Sequence, residues 1–211
     1  MIDYTLKKRV LGPVGTNCYV LANTETHESI IIDPADDVMA IQNLVEDMES
    51  VPVAILLTHG HFDHIMAVNG LKNLYSHAAV YIYEGEKDML GNAMLNCSSS
   101  MLGQAYTTSA DEFVRDGEVL GLAGFAIQVL HTPGHTEGSV CYYLKDYDML
   151  FSGDTLFAES VGRTDLPTGS GRALQQSLRQ LLEDLPDQVK VYPGHMDETT
   201  IEHEKRYNPF A

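Results

Sequence analysis

Apolar positions along the chain follow two rhythms. Alternating or unbroken apolar runs mark strands. They occur at Thr5–Leu11, Asn17–Ala22, Ser29–Ile32, Val51–Leu57 and Ala78–Tyr83, and again at Phe125–Leu130, Ser139–Leu144, Met149–Phe151 and Val189–Tyr192. Spacing of three and four marks helices. It predicts Asp37–Glu49 through Val38, Ile41, Leu44, Val45 and Met48, and Gly171–Leu185 through Leu174, Leu178, Leu181 and Leu182. It also predicts a helix running to about Leu74, with Ile65, Val68 and Leu71 on its core face, and a short last helix at Glu198–Lys205. The turn Gly12-Pro13-Val14-Gly15 separates the first two strands. Glu84 to Glu118 follows neither rhythm and is rich in Gly, Ser and Met. It reads either as a lid or binding loop, or as a short helix with loops packed at a sheet edge. Each half of the chain runs strands first and helix after, which predicts sheets covered by helices with loops gathered at one rim.

Composition narrows the class. A chain of 211 residues suits one domain over 1–211. With 44% apolar and 20% charged residues it reads as an ordinary globular protein. Thirteen basic against thirty acidic residues give a net charge of −17. That disfavours nucleic-acid backbones and anionic membranes as partners, and bound divalent metal would offset part of it. The amino terminus, MIDYTLKKRVLG, has no apolar stretch of the kind a secretory signal needs, and no run approaches the ~18 residues of a membrane span. Cys18, Cys97 and Cys141 are odd in number and form no CxxC. Cys18 and Cys141 read as buried thiols, and the default setting is reducing and cytoplasmic.

The chemistry concentrates just past the buried run Val51–Leu57. His59, His61, Asp63 and His64 fall within six residues there. His59 and His61 flank Gly60 and can aim to one side, whereas Asp63 and His64 arrive where the helix begins. Neighbouring residues point in different directions, so two adjacent metal sites is the geometric reading. Three more motifs follow strands: Thr132-Pro133-Gly134-His135-Thr136, Ser152-Gly153-Asp154-Thr155 and Tyr192-Pro193-Gly194-His195. Alone, each is a turn with one polar residue. Their repetition at strand ends makes them candidates for the same centre.

THGHFDH resembles the HxHxDH signature of the metallo-β-lactamase-fold hydrolases. The chain is most similar to the short glyoxalase II-like, or hydroxyacylglutathione hydrolase-like, proteins. Phe151–Arg172 resembles their GDTLF…GR.D.P.GS region, and KRYNPF near the carboxyl end and Asn96–Ser98 with Gly103 carry a fainter likeness. The resemblance implies an α+β, four-layer αββα sandwich. It implies that His59, His61 and His135 bind one divalent metal, that Asp63, His64 and His195 bind a second, and that Asp154 bridges them. Zinc is the first expectation, with iron and manganese also suited to His/Asp ligation. Asp63 and Asp154 are then the catalytic carboxylates, and a metal-bridging hydroxide attacks an acyl carbonyl. No general acid stands out, which suits a thiolate leaving group and hence a small-molecule thioester such as S-lactoylglutathione. Arg163 is the implied substrate contact, against the plainer reading of an Arg163–Asp165 pair that shapes its loop. Asp33 is the candidate for orienting a ligand histidine, Thr58 and Thr136 follow behind it, and His131 reads as structural.

Departures and rivals are also legible. Asp154 separates the chain from β-lactamases with a cysteine at that place, and His61 from diiron flavoproteins with a glutamate. Full-length glyoxalase II enzymes carry an additional helical domain that this chain is too short to hold, so the thiol carrier stays open. A persulfide dioxygenase using one iron held by His59, His135 or their neighbours, with Asp154, is the nearest rival. A lactonase and an inactive metal-binding protein stand behind it. The oligomeric state is not legible in the sequence.

Overall fold

The computed structural model describes residues 2–211. Chain order gives β1 (Tyr4–Leu11), β2 (Thr16–Asn23), β3 (Glu28–Ile32), α1 (Val38–Asp47), β4 (Val51–Leu56), α2 (Phe62–Ile65), α3 (Val68–Leu74), β5 (Ala79–Tyr83), α4 (Lys87–Leu90), α5 (Ser98–Met101) and β6 (Glu112–Val114). There follow β7 (Val119–Leu122), β8 (Phe125–His131), β9 (Val140–Leu144), β10 (Met149–Gly153), α6 (Gly171–Asp184), β11 (Lys190–Pro193), β12 (Thr199–Thr200) and α7 (Ile201–Tyr207). Two six-stranded sheets result, ordered β1-β2-β3-β4-β5-β6 and β12-β11-β10-β9-β8-β7. Both are mixed: β3, β4, β5 and β6 run parallel, as do β10 and β11, while the other neighbours are antiparallel.

Period-two alternation assigns the faces. In β2, Tyr19 and Leu21 join Ile30, Leu56, Phe125, Ile127, Val129, Tyr142 and Phe151 in the core between the sheets. Their neighbours Cys18 and Val20 turn outward, onto Ile41, Leu44 and Val45 of α1 and Ile65, Val68 and Leu71. In β9, Val140, Tyr142 and Leu144 face inward, and Cys141 and Tyr143 meet Leu178, Leu181 and Leu182 of α6. The layers are therefore α, β, β, α, as the resemblance implied. Each large apolar side chain so buried contributes ~1.5–3 kcal/mol. Caps fix where the helices begin: Asp37, Ser170 and Thr200 accept from the backbone N–H of Ala40, Ala173 and His203.

Two expectations are corrected. The helix to Leu74 is two helices, because the Ala67 N–H donates to Pro34 O (3.0 Å) instead of continuing the ladder. Ile65, Val68 and Leu71 still all face the core. The last helix starts at Ile201 rather than Glu198, since Thr199 and Thr200 pair with β11 and Thr200 caps. β6 and β7 were missed. Residues 84–118 combine the two readings left open for them: Asn96 O accepts from Phe62 N (2.8 Å) and the Tyr106 hydroxyl donates to Ile65 O (3.1 Å), while Cys97 and Met101 line a cavity. All three cysteines are buried and unbridged. Among the described residues, no helix is long and apolar enough to cross a membrane.

Candidate metal centre

Strand ends from both sheets converge on one rim. The first sheet delivers Asp33 after β3 and the 58–64 loop after β4. The second delivers His135 after β8, Asp154 after β10 and His195 after β11. The seven residues singled out as ligands lie together. Donor atoms of His59, His61 and His135 fall within 4.8 Å of one another, as do those of Asp63, His64 and His195. His59, His64 and Asp154 form a third such group, so Asp154 stands between the two clusters.

The spacing fits a shared cation. Asp154 Oδ1 lies 3.3 Å from His64 Nε2, and its Oδ2 lies 3.5 Å from both His135 Nε2 and His195 Nε2. Asp63 Oδ2 lies 3.5 Å from His64 Nε2 and 3.3 Å from His195 Nε2. Donors around a tetrahedral ion with ~2.0–2.1 Å bonds stand roughly 3.3–3.4 Å apart, so most of these contacts have ligand-to-ligand spacing. Buried atoms also lack partners: His59 Nε2, His61 Nε2, His64 Nε2 and Asp154 Oδ1 make no hydrogen bond. Orphaned groups of this kind are costly unless something electrophilic engages them.

Remote atoms of the same rings are held. His135 Nδ1 is 2.7 Å from the Arg163 carbonyl, and His59 Nδ1 is 3.2 Å from the Thr58 hydroxyl. Asp33 Oδ2 lies 3.0 Å from His64 Nδ1, within ion-pair range though poorly aligned for a hydrogen bond. Asp33 is itself fixed by the Thr58 N–H (2.8 Å) and hydroxyl (2.7 Å). Asp33 and Thr58 thus sit where expected. Thr136 does not, because its hydroxyl pairs with Ser139 at 2.7 Å. His131 stacks on Tyr83, as a structural residue would.

Electrostatics divides the histidines. Burial pushes His59 well below its ordinary value and His61 down to about 3, each reinforced by neighbouring imidazoles. Both are neutral at pH 7 and present lone pairs. Burial acts the same way on His64 and His195 but is outweighed. Asp63, Asp154 and Asp33 hold His64 well above its ordinary value, and Asp154 with Asp63 lifts His195 to about 9. Burial would raise the two carboxyls, yet His64 and its neighbours bring Asp63 to about 2 and Asp154 well below its ordinary value. The pair of carboxylates demands positive charge between them, which protons supply as readily as a metal.

Several supporting residues were missed in the sequence. Glu86, fully buried, accepts from Gly60 N (2.7 Å) and Gly138 N (2.9 Å), tying the loop of His59 and His61 to the loop of His135. A Cβ at residue 138 would come within 2.7 Å of Glu86 Cγ, so only glycine admits this approach. Thr16 Oγ1 donates to Asp63 Oδ2 at 2.8 Å. Asn17 Nδ2 and the Tyr19 hydroxyl both donate to Pro193 O, at 2.9 and 2.8 Å, and set the turn that carries His195. Gly194 is required there: a Cβ would fall 2.3 Å from Asp154 Oδ1. Only Gly194 and its PGH motif gave any signal. Arg163 lines the cavity beside the cluster, but its guanidinium is paired with Asp165.

A family model described as the metallo-beta-lactamase superfamily matches residues 11–195. The chain belongs to this superfamily. Among superfamily members, a probable metallo-hydrolase, YqgX of Bacillus subtilis, is 37% identical over 205 residues, covering 97% of this chain and 96% of its own. The hydroxyacylglutathione hydrolase GloC of Haemophilus influenzae is 35% identical over 201 residues, covering 92% of each. Solved structures agree. The BLEG-1 B3 metallo-beta-lactamase is 40% identical with a TM-score of 0.93, over 98% of this chain and 99% of that one. TTHA1623 in a di-iron-bound form is 36% identical with a TM-score of 0.87, over 97% and 100%. ETHE1 from Myxococcus xanthus is 30% identical with a TM-score of 0.80, over 97% and 83%.

Proposed function

We propose that this superfamily member is a binuclear metal-dependent hydrolase of glyoxalase II type, acting on a small acyl thioester in the cytoplasm. The observation that supports it most is the pair of donor clusters with Asp154 between them, opening on a cavity. His59, His61 and His135 would hold one ion and Asp63, His64 and His195 the other, with Asp154 reaching both. Two divalent ions, zinc first among them, supply when bound a hydroxide at neutral pH and a Lewis acid for a carbonyl oxygen. The chain's own groups do the rest. Asp33, Thr58 and the Arg163 carbonyl orient the imidazoles. Thr16 holds Asp63. No carboxyl group other than those of Asp63 and Asp154 lines the cavity among the described residues, and the imidazoles there are taken up as metal donors. Departure of a thiolate needs no proton donor, which favours a thioester over an ester. Three buried, unbridged thiols support a reducing compartment, and the charge of −17 argues against nucleic-acid or anionic-membrane partners.

The test is elemental analysis of protein prepared without added metal, paired with assays of S-lactoylglutathione, a β-lactam, and oxygen uptake with a glutathione persulfide. About two metals per chain with thioester turnover is the expected result. One metal and no thioester turnover would refute it. The second reading, a single-iron persulfide dioxygenase, is favoured only by the kind of metal in TTHA1623 and not by its number, since that form holds two irons. Against it, a single iron leaves Asp63, His64 and His195 without a purpose.

A further inference from the structure

We propose that the cavity beside the clusters selects an uncharged thioester with an apolar acyl group, and that Asp165 sets this preference by occupying Arg163. The inference rests on the thioesterase reading above and narrows its substrate.

The cavity next to His61, Asp63, His135, Asp154 and His195 measures about 280 Å³. Its walls away from those donors are Val14, Phe62, Cys97, Met101, Phe157 and Leu166, with Arg163 at one side. That volume lies just under the ~300–1,000 Å³ of sites for whole small molecules. It suits the acyl part of a substrate rather than acyl group and carrier together. Aliphatic walls reward methylenes and penalise a polar group that finds no partner. A second cavity, about 520 Å³, meets the first at Arg163 and is lined by Val161, Leu174, Leu178, Pro209 and Phe210 among others. It is the room this inference gives to the thiol carrier, and its wall mixes apolar side chains with the uncharged polar Thr164 and Gln175.

Arg163 is the one arginine or lysine lining either cavity among the described residues. Its fork is filled: Nε donates to Asp165 Oδ1 and Nη2 to Asp165 Oδ2, both at 2.7 Å. The Arg163 carbonyl is held as well, accepting from His135 Nδ1, so the backbone is pinned while the side chain is engaged. A carrier carboxylate approaching here meets a neutralised arginine and the negative charge of Asp165. The pair is exposed, with side chains 54% and 67% accessible, so its hold is modest. Removing Asp165 therefore changes preference severalfold rather than by orders of magnitude.

The test compares acetyl, butanoyl and hexanoyl thioesters of N-acetylcysteamine, a neutral carrier, with the same acyl groups on glutathione, using metal-replete wild type, Asp165→Asn and Met101→Glu. Expected for wild type is a kcat/KM that rises about two- to fourfold per methylene and favours the neutral carrier. Asp165→Asn should raise the glutathione-to-N-acetylcysteamine ratio about fivefold, and Met101→Glu, at an exposed wall position, should flatten the length series. Thioester turnover with a flat length series, or an unchanged carrier ratio in Asp165→Asn, would overturn the inference while leaving the thioesterase reading intact. Turnover of S-lactoylglutathione but of none of the six compounds would overturn the inference alone, and turnover of none of the seven would overturn both.

Discussion

Glu86 shows how much can hang on one side chain outside the ligand set. Its two oxygens each accept one backbone N–H, from Gly60 and Gly138. An amide can accept with only one of its two heavy atoms, so Glu86→Gln should strand one buried N–H and cost about 1–3 kcal/mol in urea unfolding. The loops of His59, His61 and His135 lose their mutual reference in that variant. Metal affinity at that cluster should fall about tenfold, read by titration of the metal-free protein. Protons offer a second residue-scale test. His195 is raised from 6.5 to about 9. Its charged form therefore stabilises the metal-free fold fully below pH 6.5, and this contribution fades as pH rises through about 9. A metal must displace that proton. Loading at pH 7.5 should release at least one proton per chain from this cluster, diminishing above pH 9, as measured calorimetrically in buffers of different ionisation enthalpy. At the turn before it, Gly194→Ala would push a methyl into Asp154. Expected is loss of metal from the Asp63, His64 and His195 cluster, seen as about one metal per chain. The candidate donors of the 59–64 loop were legible because their types and spacing have no packing explanation, whereas His135, Asp154 and His195 sit in ordinary turns and were legible through repetition at strand ends and the family resemblance. Glu86, in YEGEKDM, was not, because nothing local marks a carboxylate whose two partners lie 26 and 52 residues away.

Elements with a long apolar stripe or a buried apolar run were read well, and short, exposed edge strands were not. α6 presents Leu174, Leu178, Leu181 and Leu182 over about two and a half turns, and all four are buried. Leu178 is 1% exposed against the second sheet. Leu178→Ala should cost about 2–5 kcal/mol by urea denaturation, with metal content unchanged. β6 and β7 span only three and four residues and include exposed Phe113 and Val119, so their period-two signal never accumulates. Each joins a sheet as its edge, which tertiary context decides and local sequence does not. The break between α2 and α3 escaped for a related reason. Both pieces keep one apolar stripe, and the interruption is made by Pro34, more than thirty residues earlier.

At the scale of the molecule, the two sheets are built from consecutive halves of the chain. β1 to β6 make one and β7 to β12 the other. The order of strands and helices was legible because each half repeats the same plan, although no sequence repeat accompanies it. The passage between the halves is the exposed stretch 115–118. His59, His61, Asp63 and His64 precede it, and His135, Asp154 and His195 follow. Every donor cluster draws on both halves, so a metal bound there would fasten one sheet to the other. Chelation should lower the unfolding midpoint. Restoring metal to a hundredfold excess over Kd should return about 2.7 kcal/mol per site.

The same passage gives the protein a natural seam. Two separate polypeptides, broken between Asp116 and Gly117, would each carry one sheet and an incomplete set of donors. Mixed in the presence of zinc they should reassemble into an active enzyme, and a chelator should part them again. A reporter split across the two pieces would then read free metal concentration as light.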